Sequence, residues 1–353
     1  MIRNPFRRVQ STASVVGLEF DPSHLAAAEV TVNGRVTVER AGVAMLRPGV
    51  LRDGEVSDPD ELAAELRRLF AEHQLGSDVR IGLANQRIVV RTLDLPPMED
   101  PRELEAAVRL QAPDHIPMPI DDAVLDFQSL GLVKTPHGDR TRVVVVAARR
   151  DMIRSVLAAA KAANLNVVGI DLSAFAIIRA LDDEIHHDEA VLLVNVAGLT
   201  NVVVAAGPAC LFTRTAALGI ESMAATLAER GSLTLEHSRQ WLVHVGLEVP
   251  VEELSGDPEI LEAARAVLTD GVHHLADAVR NSLNFYRMQE SSQPVERAVL
   301  TGPAVGIPGF VEALGSELKL PVTAALAAAD PDAVPDASRL SVAAGLAVAE
   351  RFG

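Results

Sequence analysis

The side chains best suited by type to bind a metal or carry a proton are histidines, and two pairs stand adjacent, His186-His187 and His273-His274. Imidazoles hold zinc when three or four donors converge on one point. Neighbouring residues on a helix point apart, and neither Cys-x-x-Cys nor His-Glu-x-x-His accompanies these pairs, so the spacing predicts solvated or locally bonded rings and no metal site. His237 and His244 stand two helical turns apart, but no carboxylate falls at a matching position, and structural roles follow. There is no Gly-x-Ser-x-Gly elbow, no Walker A loop and no Gly-x-Gly-x-x-Gly, which leaves nucleophilic hydrolases, P-loop proteins and dinucleotide enzymes without support. Gly302 to Gly309 is glycine-rich, yet its spacing fits none of these. No catalytic residue is predicted. The single cysteine, Cys210, falls within an expected strand and reads as a small buried hydrophobe in a reducing compartment.

Which elements would position a site is clearest in the middle of the chain. Val191-Leu192-Leu193-Val194 is a continuous apolar run, the mark of a strand buried on both faces. Ala197-Gly198-Leu199-Thr200 supplies small and hydroxyl residues for a turn. Val202-Val203-Val204 makes a second strand, and a third, centred on Leu211 and Phe212, follows the Gly207-Pro208 break. The same arrangement opens the chain: Val15 to Leu18, the turn Asp21-Pro22-Ser23, Leu25 to Val32, then Asn33-Gly34 and a strand from Arg35 to Val43. Asn-Gly is a strong hairpin signal because both residues tolerate positive φ. Two halves that each begin with three antiparallel strands and continue into helices indicate an internal duplication.

Between the openings, Asp58-Pro59-Asp60-Glu61 combines a cap, a proline at the first helical position and an acid three residues past the cap. Leu62, Leu66, Leu69 and Phe70 form one buried face of this helix, which Gly76 is expected to end. Strands follow at Arg80 to Leu83 and Ile88 to Leu95. A second cap-proline-acid start at Asp100-Pro101-Arg102-Glu103 opens a helix that Pro113 should stop. Strands at Val124 to Leu130 and Val143 to Ala148, a helix from Asp151 to Ala163 and a strand from Val167 to Ile170 complete the stretch. Later helices are expected at Ser173 to Leu181, Glu221 to Arg230, Leu235 to Val245, Pro258 to Glu290 with a bend at Gly271, Pro308 to Leu318 and Leu340 to Arg351. Trp241 and Tyr286 lie on helix faces and read as core. The expected domains are a basic tail (1–14), a first lobe (15–78 and 167–189), an inserted α+β subdomain (79–166) and a second lobe (190–353).

With 353 residues and 48% hydrophobic content the chain can bury a large core. Its 32 basic residues against 48 acids, a net charge of -16, argue against nucleic acid as a partner. No stretch approaches the roughly 18 apolar residues of a spanning helix or the pattern of a signal peptide, which places the protein in the cytoplasm. The tail carries Arg3, Arg7 and Arg8 beside Ile2 and Phe6. Short isolated basic segments bind lipid weakly, so a frayed end is expected there.

Leu110-Gln111-Ala112, Ile116-Pro117-Met118-Pro119 and Leu125-Asp126-Phe127-Gln128-Ser129-Leu130 resemble the signature of PilM, the actin-like cytoplasmic protein of type IV pilus assembly. Gly54-Glu55-Val56, Ala147-Ala148-Arg149 and the closing Ala344-Gly345-Leu346-Ala347 extend the resemblance over nearly the whole chain. It implies an α/β fold of the duplicated, bilobed actin-like kind, with a small inserted subdomain like that of the division protein FtsA. It also implies a groove beside the insertion that takes the short cytoplasmic N-terminal peptide of PilN, an inner-membrane protein. Other pilus platform proteins, self-association and a peripheral place at the inner face of the membrane belong to the same implication. An active actin-like ATPase or kinase, or a scaffold of type II secretion or of cell division, is the alternative.

In that family ATP lies between the lobes, with Mg²⁺, held by the first turn of each lobe and by a late glycine-rich loop. Close backbone approach, N–H groups aimed at phosphates and carboxylates for hydrated Mg²⁺ are the physical needs. Carried onto this chain, the resemblance gives Glu19, Ser23, Asn195, Gly198, Thr200 and Gly302 as the residues that correspond. The departures are as telling. Asp21 stands where the family has glycine, Pro22 lacks an N–H, Asn195 replaces an aspartate and Ala197 a glycine. Gly302-Pro303-Ala304 keeps one glycine of a run, and Arg239 and Leu242 replace the glutamate and lysine on the helix before Gly246. A fixed negative charge facing a triphosphate is costly. Nucleotide binding is therefore expected to be weak or lost.

Overall fold

The computed structural model describes residues 15–348 except residue 99 and residues 136–137, 187–188, 290–291, 331–333 and 335. The basic tail, His187 and the end of the last expected helix lie outside the described residues.

The first lobe opens with β1 (Val16–Phe20), β2 (His24–Asn33) and β3 (Arg35–Met45), paired antiparallel in sequence order. At the second hairpin Gly34 alone takes a left-handed conformation, with φ 85°, and Asn33 pairs with Arg35. A short hairpin of β4 (Leu51–Arg52) and β5 (Glu55–Val56) leads into α1 (Pro59–Glu72), where the Asp58 carboxylate accepts from the Glu61 amide at 3.0 Å. The helix ends before Gly76: Gln74 takes the left-handed conformation, and the Gly76 amide instead donates to Glu29. Then β6 (Asp78–Leu83) lies parallel to β1.

An insertion follows, made of β7 (Val89–Leu95), α2 (Pro101–His115), β8 (Ala123–Thr135) and β9 (Gly138–Arg149), with strand order β7-β9-β8. Leu93, Leu95, Val143, Val145 and Ala147 meet Leu104, Val108 and Ala112 of α2, so one face of this sheet is covered. Helix α2 runs through Pro113 to His115. In the last turn the ring forfeits one hydrogen bond to a carbonyl four residues back, and a covered face outweighs that loss.

The boundaries 79 and 166 expected for the insertion cut through the first lobe. β6 hydrogen-bonds to β1 on one side and to β10 (Asn166–Leu172) on the other. α3 (Arg150–Ala162) places Met152, Ile153 and Val156 in the same core as Leu62, Leu66 and Leu69 of α1. The separate three-stranded sheet spans only 89–149. Apolar periodicity marks α3 as buried without saying against which sheet, and this is why the sequence misplaced it.

After α4 (Ser173–Ala180) the pattern repeats: β11 (Ala190–Val196), β12 (Thr200–Ala206) and β13 (Ala209–Ala216) are antiparallel. Helices α5 (Ile220–Gly231), α6 (Leu235–Val245) and α7 (Pro258–Arg287) follow, then β14 (Val295–Thr301), α8 (Phe310–Leu318) and β15 (Val322–Ala324). The sheet order β13-β12-β11-β14-β15 reproduces β3-β2-β1-β6-β10 of the first lobe, with the last two pairings parallel in both. α7 is continuous through Gly271, where a Cβ would lie 2.6 Å from Met223 Cε; the glycine admits α5 and does not break the helix.

The chain then crosses back. β16 (Ala328–Ala329) joins the outer edge of β3, and α9 (Ser341–Ala347) packs on the first sheet. α9 and α4 fill the space between the sheets, where Val342 and Leu346 share a core with Ile177, Val191, Leu193 and Val203. A Cβ on Gly17 would lie 1.9 Å from the Ala343 carbonyl oxygen, and one on Gly345 would lie 1.8 Å from that of Ala176. These contacts bring helix backbone against strand and helix against helix.

Candidate functional site in the cleft between the lobes

β1 buries Val16, Leu18 and Phe20 against α1 and α3, so the alternation of the strand turns Gly17 and Glu19 to the opposite face, toward α9. The strand ends in a two-residue turn over Pro22-Ser23, closed by the Asp21 and His24 backbones at 3.0 and 3.2 Å. Asp21 therefore faces the start of the second lobe, and its carboxylate is buried. Oδ1 accepts from the Ser23 amide at 2.9 Å and its hydroxyl at 2.5 Å, and from the Gly198 amide at 3.1 Å. Oδ2 accepts from Gly198 at 3.1 Å and Leu199 at 3.2 Å. A carboxylate has about four lone-pair positions, and these donors fill them. A Cβ on Gly198 would lie 2.3 Å from Oδ1, so the approach requires glycine there.

Two further groups complete the cluster. His24, 1% exposed, sets Nδ1 3.3 Å from Asp21 Oδ1 and 2.9 Å from the Ser23 hydroxyl, while its Nε2 stands 4.0 Å from Glu19 with no hydrogen-bond partner. Arg339, just before α9, brings Nη1 to 3.5 Å from His24 Nδ1 and holds Asp336 at 2.8 Å. Burial and the nearby Asp21 charge push the Glu19 carboxyl well above its ordinary range, against the pull of Arg339. Burial acts on Asp21 in the same direction, but hydrogen bonds and charge from His24 and the bonds from Ser23 outweigh it and hold its carboxyl below the ordinary value.

Of the residues carried over from the resemblance, the structure gathers Glu19, Ser23 and Gly198 around Asp21. Asn195 and Gly302 meet each other at the ends of β11 and β14: Gly302 has φ 90°, and a Cβ there would lie 2.6 Å from Asn195 Oδ1. Thr200 turns away and donates to the Leu218 carbonyl at 2.7 Å. Arg239 pairs with Glu221 on α5, and Leu242 lies in the core of the second lobe. Arg339 carried no sequence signal, since it reaches the cluster from a segment 315 residues beyond His24. Asp21 did carry one, as Asp-Pro-Ser after an apolar strand predicts an aspartate that bonds its own turn.

The remaining chemistry-bearing residues lie apart. His273 is exposed between Asp277 (3.6 Å) and Glu317 (3.3 Å), and His244 bonds the Ser255 carbonyl at 2.9 Å. Tyr286 is buried, and half-buried Trp241 packs on Gly256 and His244. Among the described residues no group of three His, Cys, Asp or Glu is placed to hold a metal, and no helix is long and apolar enough to cross a membrane.

A family model described as type IV pilus assembly protein PilM matches residues 17–349. The chain belongs to the PilM family. A solved PilM-PilN type IV pilus biogenesis complex resembles this PilM-family chain over 96% of its length and 98% of that chain, at 27% identity and a TM-score of 0.78. EutJ, an ethanolamine utilization protein of Carboxydothermus hydrogenoformans, aligns at 16% identity and a TM-score of 0.52, covering 98% of this chain and 93% of that one. MreB5 of Spiroplasma citri, solved with AMPPNP, aligns at 12% identity and a TM-score of 0.53, covering 95% of each. The last two likenesses are of fold alone, and that fold is actin-like.

Proposed function

We propose that this PilM-family protein is a scaffold of the type IV pilus assembly machinery. In this reading it docks the cytoplasmic N-terminal peptide of a PilN-like inner-membrane protein, which holds it at the inner face of the membrane alongside other platform proteins. The observation that carries it is the nearly full-length likeness to a PilM-PilN complex. Titrating a synthetic N-terminal peptide of the PilN-like protein into the full chain by calorimetry tests it. Saturable one-to-one binding is expected, and no heat at peptide concentrations of about 1 mM would overturn it.

We infer further that the cleft holds its lobes together without nucleotide. The amides a phosphate would use, Gly198 and Leu199, already donate to Asp21. Pro22 offers no N–H, and Glu19, buried and driven toward its neutral form, is a poor partner for hydrated Mg²⁺. A triphosphate would have to displace a bonded carboxylate and then face its charge. Calorimetric titration with Mg-ATP should give no saturable heat, and micromolar binding would defeat this reading.

A further inference from the structure

α2 covers one face of the inserted sheet, and the other face looks across a cleft of about 770 Å³ at β13 and the end of α7. Register places Val90, Thr92 and Asp94 of β7 on this second face with Arg142 and Val144 of β9, and Arg140 lies two residues before Arg142. The opposite wall is β13, the edge strand of the second lobe, with Leu211, Phe212 and Thr213, and beyond it Phe285 of α7. Phe285 is 50% exposed and its ring centroid lies 6.0 Å from that of Phe212. One wall thus ends in apolar and aromatic side chains with an unpaired strand edge beside them.

Positive charges outnumber negative ones in the cleft. Four cations line the cleft against one carboxylate, Asp94: Arg140 and Arg142 lie on this face of the sheet, and Arg91 and Lys134, which register puts on the other face, line it as well. Arg142 holds Asp94 in a bidentate pair at 2.7 and 2.8 Å, which neutralises both. Among the described residues Arg91 bonds only the Val90 carbonyl, and Arg91, Lys134 and Arg140 have no carboxylate within 4.0 Å, although Asp139 pairs with Lys134 across the β8–β9 ladder. A chain of net charge -16 has acids to spare for neutralising these groups, yet leaves them together beside low-dielectric walls. Such a cleft focuses a positive potential.

We propose that this cleft is a docking site for an extended acidic segment of a partner protein. Its carboxylates meet Arg91, Lys134 and Arg140, and an aromatic or aliphatic side chain packs on Phe212 and Phe285. An extended conformation suits the cleft because its floor runs along a strand edge, where main-chain groups are available. This docking is proposed in addition to that of the PilN-like peptide.

The probe is a fluorescein-labelled dodecapeptide alternating Glu and Leu, with one Leu replaced by Phe, read by anisotropy against the full chain. Saturable binding that weakens with added salt is expected, with no binding of the same peptide carrying Lys for Glu. The double variant Lys134→Glu/Arg140→Glu should weaken it about tenfold or more, and Phe285→Ala should weaken it at unchanged salt dependence. Both changes are on the surface, and an unchanged thermal transition would show that the fold is kept. Equal binding of the acidic and basic peptides, full competition by inorganic phosphate at equal charge, or unchanged affinity in the double variant would each overturn the proposal. Retention of the acidic peptide when a PilN-like peptide is present in excess would separate the two sites, and its loss would overturn a second site.

Discussion

The Asp21 carboxylate, at the tip of the first turn of one lobe, accepts the amide of Gly198 in the first turn of the other, 3.1 Å from each oxygen. The two turns are equivalent in the duplicated topology, each following the first strand of its sheet. An anion supplied by the chain thus bridges two turns whose amides point into the cleft.

Replacing Asp21 by Ala leaves the Gly198, Leu199 and Ser23 amides without their acceptor. The expected loss of stability is about 2–4 kcal/mol, given the cost of unsatisfied buried donors. Urea denaturation measures it. The wild-type bond network also has a pH signature: the Asp21 carboxyl is held below its ordinary value of 3.8, so the unfolded chain binds the extra proton. Its contribution is fully present above that value and is lost as pH falls through the folded value, and the acid limb of the stability curve should flatten in the Ala variant.

Glu19 should act in the opposite sense. Its carboxyl is raised above the ordinary value of 4.5, so the folded chain keeps a proton that the unfolded chain releases. Stability from this group is present below that value and declines as pH rises through the folded one. Glu19→Gln keeps the shape of the neutral acid, and should be more stable than wild type at pH 8 while matching it near pH 4. Denaturation midpoints at the two pH values decide this.

Gly345→Ala places a methyl 1.8 Å from the Ala176 carbonyl oxygen, where backbone must move. A loss of about 1–3 kcal/mol or more is expected from such overpacking between α4 and α9. Gly306→Ala is the matched control: nothing lies within 4 Å of the added carbon, and its effect should stay within about 0.5 kcal/mol. Equal losses at both sites would contradict the close helix contact.

Burial pushes the Cys210 thiol up to about 12, and among the described residues only the Phe212 carbonyl is near enough to bond it. At pH 8 roughly one thiol in ten thousand would be ionised, and the thiolate is the reactive form. Iodoacetamide should label Cys210 slowly in the folded chain and quickly in urea, as followed by mass spectrometry. Rapid labelling of the folded chain would contradict this burial.

Much of the architecture could be read from local pattern. The run Val191 to Val194 announced a strand buried on both faces, and β11 is buried throughout. The cap-proline-acid starts at Asp58 and Asp100 placed α1 and α2, since a side-chain acceptor and a proline act within one turn. Sheet membership was not local. β6 and α3 read as parts of the insertion and belong to the first lobe, because which strand β6 joins depends on β1 and β10, some 60 and 90 residues distant.

By itself the sequence determined the duplication, the caps, the family and the oddity of an aspartate where the family has glycine, all of which depend on residue type and short spacing. Tertiary structure alone decided that Asp21 bonds Gly198 and Leu199, that Arg339 stands beside His24, and that Arg91, Lys134 and Arg140 line one cleft with Phe285. Those relations join segments separated by dozens to hundreds of residues. Their geometry is set when α4 and α9 pack between the sheets, and no spacing along the chain encodes it.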